Sequence, residues 1–171
     1  MKKIMFFWCA FLSLQSLYAQ RFGFMDSESI LARLPEYKTA QEALNEQSVT
    51  WQNEIEALQT KIIQQRMSLE AEKVLLTEEM KQEKEKAIQA QEGQLRQRQE
   101  ALFGFEGQIF KKRQELMKPI QDKIFAAAQK VARKRKLSFI FDRSGDLVMV
   151  YADPTHDYTE NVLEELGLKA E

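Results

Sequence analysis

Residues 36–76 read EYKTAQEALNEQSVTWQNEIEALQTKIIQQRMSLEAEKVLL, and their spacing decides the fold class. Tyr37, Ala40, Leu44, Trp51, Ile55, Leu58, Ile62, Leu69 and Leu76 recur in steps of three, four or seven. Gln47, Gln65 and Glu72 take intervening seam positions, so the stretch is a heptad seam with polar interruptions. The helical character extends well beyond it. From Glu36 to Lys136 the chain has one proline and three glycines and is dense in Gln, Glu, Lys and Ala, a composition of strong helix formers. One straight helix of that length would run roughly 150 Å. The sequence instead predicts a fold-back near 75–80. In Leu75-Leu76-Thr77-Glu78-Glu79-Met80, Thr77 can cap a new helix and two glutamates fall where the helix dipole favours them.

The return arm is polar as far as Leu95 and Leu102 and then meets Phe103-Gly104-Phe105-Glu106-Gly107. Gly104 and Gly107 break the helix there. The break is either a hinge or a packing irregularity with Phe103 and Phe105 buried. Beyond it Ile109, Leu116, Ile120, Ile124, Ala127 and Val131 form a second apolar stripe. Pro119 lies inside that stripe, removes one donor and crowds the carbonyl of Glu115, so a kink is expected and Pro119 is a third hinge candidate.

At both ends the period changes to two. Arg21-Phe22-Gly23-Phe24-Met25-Asp26 predicts a short strand, and Ser27 can cap a brief helix through Leu34 before Pro35 opens the long one. Leu137-Ser138-Phe139-Ile140-Phe141-Asp142 predicts a second strand. Arg143-Ser144-Gly145-Asp146 predicts a turn, and Leu147 to Tyr151 an antiparallel third strand. A final helix is expected from Thr159 to Leu166, ending at Gly167.

The expected fold is therefore α+β. A small β body of three short strands, residues 20–35 and 137–171, would carry a long antiparallel α-helical hairpin, residues 36–136, inserted between strands 1 and 2. Three strands and two small helices bury too little to stand alone. Phe22, Phe24, Phe139, Phe141, Val148 and Val150 would leave sticky edges. Three copies closing their strands into one barrel would solve both problems.

Met1-Lys2-Lys3 followed by an apolar run to Tyr18-Ala19 predicts a signal peptide cleaved after Ala19, with an uncleaved anchor as the alternative. Cys9, the only cysteine, would leave with it. The remaining chain would have neither disulfide nor thiol, which again points to assembly as its source of stability.

Charge is near balance overall at −1, yet strongly segregated. Residues 36–110 carry 14 acids and 9 bases, residues 111–136 carry 2 acids and 10 bases, and residues 138–171 carry 8 acids and 2 bases. The basic run from Lys111 to Lys136 could attract acidic clients or anionic lipid head groups, or simply balance the acidic C-terminal segment. The overall balance, together with export, speaks against nucleic acid. No phosphate-binding loop or H-E-x-x-H occurs. His156, the one histidine, lies between Asp153 and Asp157 and reads as part of a polar loop capping the last helix. No catalytic, cofactor or metal site is expected.

The opening Phe22-Gly23-Phe24-Met25-Asp26-Ser27-Glu28-Ser29-Ile30-Leu31 with Pro35-Glu36-Tyr37 resembles the Skp/OmpH family of periplasmic chaperones. So do Phe110 to Lys123, Phe139-Ile140-Phe141-Asp142 and Asp157 to Leu166. The resemblance covers the chain after the signal peptide, while the middle hairpin matches only in character. It implies a homotrimer with helical tentacles around a cavity that holds unfolded outer-membrane proteins in the periplasm, without ATP and without enzymatic activity. The best-known members of the family are strongly basic and this chain is slightly acidic, so lipid contact through tentacle-tip charges is not carried over. Met67, Leu75, Leu76 and Met80 toward the tip are the candidate client-contacting residues, Met being adaptable at promiscuous surfaces; the alternative is that they glue the two arms together. The competing expectation is an envelope spacer or adaptor that docks a folded partner at the hairpin tip. Such a spacer would seal its apolar seam and keep a polar exterior.

Overall fold

The structure is a computed structural model that describes residues 21–145 and 149–168. The signal-peptide reading of residues 1–19, and Val148 of the expected third strand, lie outside the described residues. In chain order the elements are β1 (Phe22–Met25), α1 (Ser27–Arg33), α2 (Pro35–Glu72), α3 (Glu78–Phe103), α4 (Gln108–Arg135), β2 (Phe139–Asp142), a 3₁₀ turn (Pro154–His156) and α5 (Thr159–Glu165). They fall into two compact units. Of the described residues, one unit, the body, comprises 21–33, 123–145 and 149–168, and the other, the hairpin unit, comprises 34–122.

In the body, β1 and β2 pair in parallel, with Phe22 opposite Phe139 and Phe24 opposite Phe141. Parallel neighbours need a long crossover, and the inserted helices provide it. Asp157 bridges the other edge of β1 at Phe24, where the Tyr158 N–H donates to the Phe24 carbonyl at 2.8 Å. The expected antiparallel partner strand does not form in its described part: Val150 and Tyr151 lie in no strand, and both are largely exposed. The segment 156–158 already occupies the free edge of β1, and nothing described covers the outer edge of β2. Among the described residues the sheet is two-stranded.

Helix α1 is capped from two places. Asp26 Oδ1 accepts from Ser29 N at 2.9 Å, so Asp26 rather than Ser27 is the local cap. The N–H and hydroxyl of Ser27 donate instead to Asp142 at the end of β2, at 3.1 and 2.5 Å. Thr159 Oγ1 accepts from Asp26 N at 3.0 Å, joining α5 to the same corner. At the far end of α5, Gly167 adopts φ +82° and the Gly167 and Leu168 N–H groups donate to the carbonyls of Glu164 and Leu163. That arrangement is a Schellman cap, which favours glycine because its backbone is left-handed. Phe24, Met25, Ile30, Ile124, Ala127, Ala128, Val131, Val162 and Leu163 are the body's buried apolar side chains.

In the hairpin unit, α2 opens with Pro35 in its first turn, where a missing N–H costs nothing. It runs to Glu72, and Thr77 starts α3 by accepting from Met80 N at 3.3 Å. The turn spans 73–77. Ala40, Ile55, Ile62, Ile88 and Leu102 are buried along the arms, while Trp51 meets Phe103 edge to face at 6.5 Å. Ile88 is a core residue that the polar sequence around it conceals. Gln65, on the seam, keeps a buried Oε1 without a hydrogen-bond partner. Pro119 stands inside α4, which continues as a helix through it.

Candidate functional site

Two surfaces stand out, one in each unit. In the body, the parallel register places Phe22, Phe24, Phe139 and Phe141 on one face of the sheet. Only Phe24 is buried; the other three are about half exposed. The rings of Phe139 and Phe141 stack at 6.2 Å, and Phe22 stacks on His156 at 5.7 Å. Phe22, Phe141, Met149 and Tyr151 line a mainly apolar groove of about 460 Å³ over this face. An uncovered aromatic face on so small a sheet marks an interaction surface.

The rest of the body holds that face in place. The Tyr158 ring lies against Gly23, where a Cβ would come within 2.3 Å of its Cδ2, so no larger residue fits without moving it. Asp142 closes the corner by accepting from the N–H and hydroxyl groups of both Ser27 and Ser144. Desolvation alone would raise its pKa, but these four hydrogen bonds outweigh it and hold the carboxyl below the usual aspartate value.

His156 stands at the end of the 3₁₀ turn. Its Nδ1 lies 3.1 Å from Thr155 Oγ1, while Asp153 caps the 3₁₀ turn through Thr155 and Asp157 binds the backbone and hydroxyl of Thr159. Among the described residues, no group of three or more His, Cys, Asp or Glu side chains could hold a metal ion. No described helix is long and apolar enough to cross a membrane.

The second surface is on the hairpin. Its arms are joined by three cross-helix ion pairs: Glu54–Arg98, Arg66–Glu92 and Glu72–Lys84. Arg98 holds Glu54 with two hydrogen bonds, at 2.7 and 2.9 Å. Hydrogen bonds from Arg98 and from Lys84 are the main reason the Glu54 and Glu72 carboxyls stay below their usual pKa. These pairs fix which residues face each other across the seam.

Beyond the pairs, apolar side chains are left over. Met67 is 68% exposed, Val74 93%, Leu75 85% and Met80 47%, with Leu58 and Ile63 also open to solvent. Leu76 is half buried, so the structure parts it from Leu75. Val74 escapes the sequence reading because it lies off the heptad seam; its neighbour Leu75 is the signal that could have found it.

At the break, Gly104 and Gly107 approach backbone that a Cβ would strike at 2.4 and 2.8 Å, and Glu106 takes φ +53°. The expectation that Phe103 and Phe105 are both buried does not hold. Phe105 is 99% exposed, because the turn that fits the two glycines aims the side chain between them outward. Part of the basic run is spent locally, in Lys112–Glu115, Lys118–Asp122 and Lys134–Glu165.

No curated protein matches the chain in sequence. A solved structure of an OmpH-like protein from Caulobacter crescentus, described as a candidate outer membrane chaperone, superposes with a TM-score of 0.72 at 16% identity. The match covers 90% of this chain and 88% of that one. At that identity it establishes a shared fold. The family model for the outer membrane protein (OmpH-like) group matches residues 21–166. With the parallel strand pair, the inserted helical hairpin and a match running from β1 to the end of α5, this chain belongs to the OmpH-like family.

Proposed function

We propose that this protein is an ATP-independent holdase of the periplasm that assembles as a homotrimer and keeps unfolded outer-membrane proteins from aggregating between its helical arms. The observation that carries the reading is the apolar surplus near the hairpin turn. Met67, Val74, Leu75 and Met80 are solvent-exposed although the ion-paired seam has no need of them. A spacer with a sealed seam would show a polar exterior there. The half-exposed Phe22, Phe139 and Phe141 support assembly, since covering them in an oligomer removes an aromatic face and an open sheet edge from water.

Capture would come from many weak apolar contacts made on several arms at once, which multiply through effective concentration. Release follows when the client buries its own apolar surface in a membrane and no longer offers contacts. The bases of α4 outside the local pairs, Lys111 and Arg113 among them, would face acidic client segments or anionic head groups.

The test is sedimentation of the purified protein, alone and with a urea-denatured outer-membrane barrel, combined with light scattering after dilution of the denaturant. A trimer that takes up the client and suppresses scattering is expected. A monomer that leaves the aggregation rate unchanged would end the proposal.

A further inference from the structure

We infer that Phe105, in the break between α3 and α4, is a second contact point for the client, an aromatic knob set down the arm from the apolar tip. This rests on the holdase reading and adds to it a binding residue outside the tip. Several features of the turn act together to place this ring in water. Leu102 is fully buried and Phe103 packs edge to face on Trp51 at 6.5 Å, which fixes the end of α3. The Gly104 N–H donates to the Glu100 carbonyl at 2.8 Å, and the Gly107 N–H to the Gly104 carbonyl at 2.9 Å. The Lys111 N–H donates to the Gly107 carbonyl at 3.1 Å, so the turn is hydrogen-bonded into both helices. A Cβ at Gly104 would stand 2.4 Å from the Glu100 oxygen, and one at Gly107 2.8 Å from the Leu102 oxygen. Between them Glu106 holds a left-handed φ of +53°, which a side chain disfavours.

Folding does not require a phenylalanine there. Phe105 is 99% exposed, so it buries no area in the hairpin, and a polar residue is the ordinary occupant of such a turn. It does not stand alone either, since Phe103 and Phe110 on its two sides are 38 and 43% exposed. Backbone held in an unfavourable region, with aromatic rings displayed in water beside it, is the mark of a binding site and not of a stability device.

The occupant follows from size and shape. A phenylalanine side chain buries about 200 Å² at most, so the exposed parts of the three rings offer on the order of 400 Å². A stable interface between folded partners takes roughly 800 Å² from each side. A knob this small suits one segment of an unfolded polypeptide, whose own apolar side chains can close around the ring. It does not suit a second copy of this chain or another folded surface. The same unit carries the exposed Met67, Val74, Leu75 and Met80. Helix α3 puts about 35 Å between the levels of Met80 and Phe103, a span that roughly ten residues of extended chain cover. One client segment can therefore touch tip and break together, and the two weak contacts reinforce each other through effective concentration.

The probe is a labelled, urea-denatured outer-membrane barrel, titrated by anisotropy into the purified protein and two variants. Phe105→Gln is expected to weaken binding about tenfold, with helicity by circular dichroism and sedimentation of the free protein unchanged. Phe105→Trp should bind within about twofold of wild type. Its indole emission should move to the blue when the client is added, read against the Phe105→Gln protein, which has only the native tryptophans. Wild-type affinity in Phe105→Gln, or an indole emission that stays put while the client is bound, overturns this inference and leaves the holdase reading standing. A changed oligomeric state in Phe105→Gln also overturns it, because the ring then faces a second copy. If Phe105→Gln loses helicity, the emission of Phe105→Trp decides. Failure of the wild type to bind the denatured barrel removes the holdase reading, and this inference with it.

Discussion

Replacing the exposed apolar side chains at the hairpin turn should abolish capture without unfolding the arm. The perturbation is Met67→Gln, Val74→Thr, Leu75→Gln and Met80→Gln together. Their exposures of 68, 93, 85 and 47% leave the equivalent of about three whole side chains open to a client. Fully burying one such side chain is worth about 1.5–3 kcal/mol. If a loosely held client covers a third of that surface, each arm loses roughly 2 kcal/mol, or about thirtyfold in Kd. The hairpin should tolerate the change, because exposed substitutions away from caps and core shift stability by only about 0.5 kcal/mol each. Anisotropy titration of a labelled, denatured outer-membrane barrel reads the affinity, and circular dichroism reads the helices. An affinity within about twofold of wild type, with helicity and melting unchanged, would refute the assignment of capture to this surface.

Other positions give sharper tests of the body and the arm. Asp142→Asn should cost about 1–2 kcal/mol of body stability at neutral pH, because a charged acceptor of four hydrogen bonds becomes a neutral one. The Asp142 carboxyl is held below its ordinary value of 3.8, so its contribution is present above that pH and is lost as pH falls through the lower folded value. Wild type and variant should therefore melt apart at pH 7 and draw together as pH falls through 3.8 and below, with convergence already at pH 5 counting against the cap. The two glycines Gly23 and Gly93 should respond oppositely to alanine. Gly23→Ala drives a methyl into the Tyr158 ring and should cost about 1–3 kcal/mol. Gly93→Ala, in open helical surface, should add about 0.5–1 kcal/mol to hairpin stability in thermal melts.

Local chemistry was legible in the chain. The heptad steps from Tyr37 to Leu76 mark α2. Thr77 ahead of two glutamates marks the start of α3, and the stripe from Ile109 to Val131 marks α4. Each of these signals is carried by residues within a turn or two of one another, where the helical period and the caps act. The phenylalanines of β1 and β2 were legible for the same reason. Their pairing partners were less so, and the segment through Val150 reads as a strand because nothing local forbids it.

What tertiary structure decided depends on residues far apart in the chain. Asp142 joined the local Asp26 in capping α1 in place of Ser27, because the parallel register brings the end of β2 to a helix start 115 positions away. Asp157 and Tyr158 took the second edge of β1, leaving 149–151 without that edge to join. Along the hairpin, the packing of α2 against α3 buries Ile88, while Val74 and Leu75 lie in the turn at 73–77, where neither arm covers them. Period and propensity say which residues are apolar and which element they join. Only the packing of one arm on the other says which of them remain uncovered, because burial belongs to a pair of surfaces and a single stretch of sequence describes just one.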